Sequence, residues 1–167
     1  MLAYLRSLTA LTFTLTTSLF VGHSTDWIHQ HNVQRLQETR ECFRCNLSKA
    51  NLAGANLAGV NLRAANLQGA DLRRTSLRGA VLEWANLTGA NLEGADLTGA
   101  NLENTTLDEA NLQKTYLQES NLKGADLRDA NLSHANLVGA SMTHIVNTAV
   151  LCDTTLLDGT ISSRGCH

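Results

Sequence analysis

Proline is absent from all 167 residues. Every residue after the first therefore keeps a backbone N–H, as an architecture in which each donor is bonded to a neighbouring strand requires. Aromatic residues are scarce, with three Phe, two Trp and two Tyr, and only Leu or Met stands at the repeat's core position. Thirteen basic side chains face fifteen acidic ones, a net charge of −2, and such a surface neither attracts phosphate backbones nor imitates them. Phosphate-binding glycine loops, Gly-x-Ser-x-Gly elbows and Ser-His-Asp sets are missing as well.

What the chain has instead is a period. From residue 46 to residue 142 one five-residue phrase, A-(N/D)-L-x-x, recurs twenty times in register, with leucine at every fifth position from Leu47 to Leu137 and Met142 closing the series. Five suits neither regular element. On an α-helix the leucines would scatter around the cylinder, and on a straight strand they would alternate between faces. One core holds them all only if the chain bends by a fixed amount after each quintet, which predicts a solenoid wound around its own leucines.

The other positions agree. Two residues before each leucine the side chain is small, as at Ala50, Ala70 and Ala90, and period-two alternation points it inward. The residue between is Asn or Asp in fifteen of twenty repeats and should face outward. The last two positions make the corner, and the final one is glycine in nine repeats. Non-glycine corners (Lys49, Arg74, Trp84, Glu109) imply that some corners use a turn without positive φ. Stacking of charges does not decide between three and four sides. Twenty-residue coils place Arg63 under Glu83, Arg73 under Glu93, Glu103 under Lys123 and Asp108 under Arg128, against two like-charge pairs, and fifteen-residue coils score almost as well.

These residues carry a resemblance. The run resembles the pentapeptide-repeat proteins over roughly 97 residues, matching that family's small residue, Asn/Asp, Leu and corner pair in phase throughout. The resemblance implies an all-β fold, a right-handed quadrilateral β-helix of twenty residues per coil. The flanks are similar to exported members common in cyanobacteria, where a Cys-x-x-Cys, here Cys42 and Cys45, also precedes the first repeats.

The termini read differently. Residues 1–24 look like a signal peptide, with Arg6 as the positive region and Leu8 to Val21 free of charge yet short for a membrane span; a retained N-terminal anchor is the other reading. Residues 25–41 should hold a capping helix over 26–38, with Thr25 or Asp26 as N-cap and Ile28, Val33 and Leu36 on one side, closing the open end of the solenoid. The β-helix is expected over 42–152, with Val150-Leu151-Cys152 and Thr155-Leu156-Leu157 holding the repeat phase, and a C-terminal cap over 153–167.

Four cysteines in an exported chain suggest disulfides. Joining Cys152 to Cys166 closes a loop worth ~3 kcal/mol and would fasten the tail. Cys42 and Cys45 are a possible second thiol pair, both directed inward. No metal site is expected: His134 and His144 sit at corners ten residues apart, and His29 and His31 lie on the helix without ligand spacing. No cofactor is expected either, and no catalytic residue, because Glu103, Asp108 and Glu109 stand on a convex rod. Trp84 at a corner and Tyr116 at an outward position should be exposed and are the candidate surface for an unidentified protein partner. Arg73, Arg74 and Arg78 form a basic stretch opposed in character to those carboxylates.

The expected role is a non-enzymatic, exported interaction or structural module of the periplasm or thylakoid lumen, with no nucleic acid bound and no membrane attachment once the leader is gone. One alternative follows from the resemblance, since some pentapeptide-repeat proteins mimic B-form DNA and inhibit DNA gyrase. That behaviour goes with strong negative charge, central phenylalanines and cytosolic residence, which this chain lacks. The other alternative is thiol-disulfide chemistry through Cys42 and Cys45.

Overall fold

The computed structural model describes residues 24–143 and 148–166. A sixteen-residue helix, α1 (Ser24–Thr39), leads into a right-handed, four-sided β-helix. Parallel bridges link each outward residue to the one twenty positions on: Glu41 to Asn61, Asn46 to Asn66, Asn51 to Asp71, Asn56 to Ser76, and onward without a break to Asn121 and Ser141. The period that charge stacking left open is therefore twenty, and at ~4.8 Å between coils the five coils of residues 41–140 form a rod roughly 24 Å long.

The leucines line its axis. All nineteen from Leu47 to Leu137 are buried, and between them lie inward small residues such as Ala70, Ala90 and Ala100. Where Thr replaces Ala, its hydroxyl donates to a backbone carbonyl: Thr75 to Leu52 and Thr105 to Leu82, both at 2.8 Å. A buried hydroxyl is thus satisfied.

Backbone donors are accounted for one by one within a quintet. In residues 66–70, Asn66 N–H donates to Cys45 O in the previous coil, while Leu67 and Gly69 donate to Asn86 and Thr88 in the next. Ala70 N–H closes the corner on Leu67 O at 3.0 Å. The fifth donor, Gln68 N–H, goes to the Asn66 side chain at 3.1 Å. The same Asx bond recurs at Ala53, Arg63, Thr88, Glu93 and Lys123, among others. Asn or Asp is therefore at the outward position for a reason beyond polarity: its side-chain oxygen accepts the one N–H that no strand reaches. A quintet with all five donors engaged has no place to lose one to proline.

Corners depart from expectation. Lys49, Arg74, Trp84 and Glu109 were expected to use a turn free of positive φ, yet they stand at φ 58°, 55°, 60° and 57°. Every corner from Lys49 to Gly139 has this sign and closes with the same i→i+3 bond, the pattern of a type II turn. The corner N–H must reach the next coil, as Lys49 does to Gln68 O at 2.8 Å, and a negative φ would aim it elsewhere. Stacked hydrogen bonds thus override a local preference of ~1–2 kcal/mol.

The predicted charge ladder is mostly replaced. Arg63 does meet Glu83 at 3.2 Å. Arg73 and Arg128 instead fold back onto Asp71 and Asp126 two residues earlier, each at 2.6 Å, where the carboxylate already sits at the outward position. Glu103 accepts from Asn121 Nδ2 at 3.1 Å.

At the N-terminal end α1 starts at Ser24, so Thr25 and Asp26 lie inside its first turn and neither is the N-cap. Leu36 is buried and Val33 packs on the core, so the helix covers the first coil; the Ile28 side chain lies outside the described residues. Asn32 Nδ2 donates to Asn46 O at 2.9 Å, and the Arg40 guanidinium donates to Ala58 O. The residue 1–24 leader reading falls outside the described residues but for Ser24.

At the C-terminal end the phase slips by one. Asn131 bridges Val150 and Asn136 bridges Thr155, nineteen residues apart, so Leu151 and Leu156 take the leucine positions. Cys152 and Leu157 are corner residues and do not hold the repeat phase as expected. Stacking continues to Thr155, past the boundary placed at 152. There β1 (Thr154–Thr155) pairs antiparallel with β2 (Ile161–Ser162), Thr155 opposite Ile161, and this hairpin forms the C-terminal cap.

Candidate interaction surface

A core filled by leucine and alanine leaves function to the outside of the rod. Its four faces collect residues at intervals of twenty, so side chains far apart in sequence become stacked neighbours. The first face is residues 41–45, 61–65, 81–85, 101–105 and 121–125. Trp84 closes a quintet of this face and is 59% exposed. Tyr116, 52% exposed, lies on the fourth face, more than half a turn further round the coil. The structure does not bring these two sequence-predicted residues together, so no single compact patch contains both.

Each has an apolar neighbour that sequence reasoning missed. Phe43 is exposed on the first face two coils from Trp84, with the Arg44 guanidinium 5.1 Å from its ring centroid. Between the aromatics lies the Arg63–Glu83 ion pair. On the fourth face Val138 is exposed one coil beyond Tyr116, and Leu157 sits over it, joined through Gly139 N–H to Leu157 O at 3.2 Å. Reading the sequence in columns of twenty, rather than in quintets, would have exposed both groupings.

Charged side chains are largely tied to the surface lattice. The hydrogen bond from Arg73 holds Asp71 below the usual carboxylate range, and Arg128 does the same to Asp126. Arg78 reaches Asp96 at 3.1 Å and Lys114 reaches Glu93 at 3.4 Å. Arg73 and Arg74 border an open hollow with Ala53, Gly54 and Glu93. Glu103 and Asp108 are half-buried and Glu109 is exposed on the outer wall.

The cysteines occupy the two ends. Cys42 and Cys45 are joined, with Cα atoms 5.3 Å apart, and they fill the leucine and small positions of the quintet beneath α1. Both are buried, which denies a thiol-exchange partner the in-line approach to sulfur. Cys152 and Cys166 are joined at the other end, Cα atoms 4.7 Å apart, so the bond ties the last corner to the tail. Asp153 lies beside that pair, the three ligand atoms within 4.8 Å of one another. Asp153 Oδ2 also stands 3.8 Å from His134 Nδ1. His144 and the His29 side chain lie outside the described residues, and His31 is exposed on α1.

Comparison with known proteins gives one consistent answer on architecture. A family model described as pentapeptide repeats matches residues 41–79, 75–113 and 105–143, with eight copies counted. Among solved structures, a pentapeptide repeat protein from the Arabidopsis thaliana thylakoid lumen is 25% identical, covering 66% of this chain and 71% of its own, at a TM-score of 0.51. QnrB1, a plasmid-mediated fluoroquinolone resistance protein, is 21% identical over 76% of each chain at a TM-score of 0.52, a likeness of fold alone. A pentapeptide repeat protein from the cyanobacterium Cyanothece 51142 is 30% identical, covering 72% of this chain and 97% of its own, at a TM-score of 0.35. No curated protein matches.

Proposed function

Because the chain belongs to the pentapeptide-repeat family, we propose that it is an exported, non-enzymatic solenoid that presents a rigid surface to a protein partner. The observation that carries this reading is Trp84. Its ring is 59% exposed at a corner with φ 60°, where glycine would cost less backbone strain and where the indole contributes little to the core. Positive φ is common to every corner, but a large aromatic left in solvent where the core does not need it has binding as its most economical explanation. Phe43 on the same face extends the contact surface, and Tyr116 with Val138 offers a second, separate one.

Export to a periplasm or thylakoid lumen is supported by the two cysteine pairs, which persist as disulfides in oxidising compartments, and by likeness to the Arabidopsis lumenal protein. The near-balanced charge weighs against DNA mimicry, and the burial of Cys42 and Cys45 weighs against a redox catalyst. Chemical cross-linking in the native compartment, followed by quantitative mass spectrometry, tests the main reading. A specific partner should be enriched with the wild-type chain and lost by about 30-fold with Trp84→Ala, the effect of a ~2 kcal/mol hot spot. Equal recovery with Trp84→Ala, Phe43→Ala and Tyr116→Ala would contradict the proposed surface. Inhibition of gyrase supercoiling at submicromolar protein would favour the DNA-mimic alternative instead.

A further inference from the structure

We propose that reduction of Cys152–Cys166 converts the C-terminal end of the rod into a zinc-class metal site, with Cys152, Cys166, Asp153 and His134 as ligands. Three donors of suitable chemistry converge there, and His134 flanks one of them. Asp153 Oδ2 lies 3.8 Å from Cys152 Sγ and 3.8 Å from His134 Nδ1. The ligand atoms of Cys152, Asp153 and Cys166 all fall within 4.8 Å of one another. Donors bound tetrahedrally at ~2.0–2.3 Å from zinc are separated by roughly 3.3–3.8 Å, so the two sulfurs move apart on reduction and the His134 side chain swings toward them to complete the set.

The fold holds these residues at the required positions. His134 and Asp153 are successive corner residues of the same edge, at φ 61° and 52°, and His134 N–H donates to Cys152 O at 2.8 Å. The one-residue slip after Ser141 is what creates the arrangement. In unbroken phase Cys152 would occupy the axial leucine position, whereas the slip moves it out to the first corner position and sets Asp153 in line with His134. Cys166 lies four residues past β2, after a turn, and Leu151 N–H donates to Arg164 O in that turn at 3.0 Å.

The chemistry balances without a further component. A dithiol reductant supplies two electrons and two protons, its own sulfurs ending as a disulfide, and leaves two protein thiols. Zinc displaces both thiol protons to solvent, and two thiolates, one carboxylate and a neutral imidazole complete the coordination. Soft thiolates with imidazole select Zn²⁺ or its analogues over Mg²⁺ and Ca²⁺. The same tail is then fastened by a covalent bond under oxidising conditions and by a metal under reducing ones.

The test uses the full chain reduced with a phosphine and titrated with Co²⁺, which reports tetrahedral thiolate coordination by its visible absorption. Cys166→Ser is titrated in parallel, to subtract any binding by Cys42 and Cys45. Reduced wild type should take up one more equivalent of Co²⁺ than Cys166→Ser, with tetrahedral bands that Zn²⁺ bleaches. Asp153→Asn and His134→Ala should each weaken that equivalent by at least tenfold, and the oxidised protein should lack it. Equal uptake by wild type and Cys166→Ser overturns the proposal. So does unchanged affinity in both Asp153→Asn and His134→Ala, which would reduce the site to an isolated thiol pair, and so does equal binding by the oxidised chain.

Discussion

Exchanging Gly99 and Ala64 at their equivalent corners isolates the strain built into the coils. Gly99 stands at φ +66° with open space where a Cβ would go, so Gly99→Ala adds no clash and only the left-handed backbone cost. That cost is ~1–2 kcal/mol, reduced by ~0.4–1 kcal/mol because alanine restricts the unfolded chain. The net is a loss of about 1 kcal/mol. Ala64, at φ 55°, is the reverse case, and Ala64→Gly should gain about the same amount. Gly124→Ala should lose more than Gly99→Ala, because the new methyl runs into Asn104 Oδ1 one coil below. Urea unfolding followed by circular dichroism, with the three variants compared at a common slope, gives the ordering. If Ala64→Gly destabilises while Gly99→Ala is neutral, hydrogen bonding between coils does not impose positive φ at each corner, and the reasoning fails.

Proline should be tolerated where the turn N–H has no Asx acceptor. Asp108→Pro follows Thr106 rather than Asn and should change stability by less than about 1 kcal/mol, whereas Leu112→Pro forfeits its bond to Asn131 O and should cost ~3 kcal/mol or more in the same urea assay. Asp71 and Asp126 have folded-state pKa values depressed by Arg73 and Arg128, so their contribution is complete above the unfolded carboxylate pKa and disappears as pH falls through the lower folded values. Thermal scans should be flat from neutrality to about pH 5 and decline below about pH 4, with a shallower decline in the Asp71→Asn, Asp126→Asn double variant. Alkylation of the protein isolated from its native compartment should label none of the four cysteines before reduction and all four after it, read by intact mass. A leucine in the central coil should be expensive: Leu92→Ala leaves a cavity in a fully buried stack and should cost ~2.7–5 kcal/mol by analogy with other cores, between a fifth and all of a typical domain's stability.

The parts of the fold legible in the sequence were those that burial alone decides. Leu47 to Leu137 and the alanines between them announce an axial core because no other placement removes them all from water. What escaped notice depends on hydrogen bonds between coils. Lys49 and Trp84 look like residues that avoid positive φ, and only the bond each makes to the next coil forces it. Asn66 reads as a polar outward residue, while its acceptance of the Gln68 N–H shows only in coordinates. The slip before Val150 was invisible because Cys152 and Leu157 happen to fall on the old phase and are apolar enough to continue it. At the surface, Trp84 and Tyr116 were conspicuous as exceptions to the repeat, but Phe43 and Val138 acquire meaning only when residues twenty apart are set side by side.

Paired cysteines test the twenty-residue coil most directly. With the native cysteines left oxidised, Gln68→Cys should cross-link rapidly under mild oxidation to Thr88→Cys, its stacked neighbour one coil on, since adjacent strands ~4.8 Å apart fall within disulfide reach. The pair Gln68→Cys, Glu83→Cys belongs to different faces and should not form. Preferential cross-linking of the second pair would mean fifteen residues per coil, three sides, and a surface wholly different from the one described.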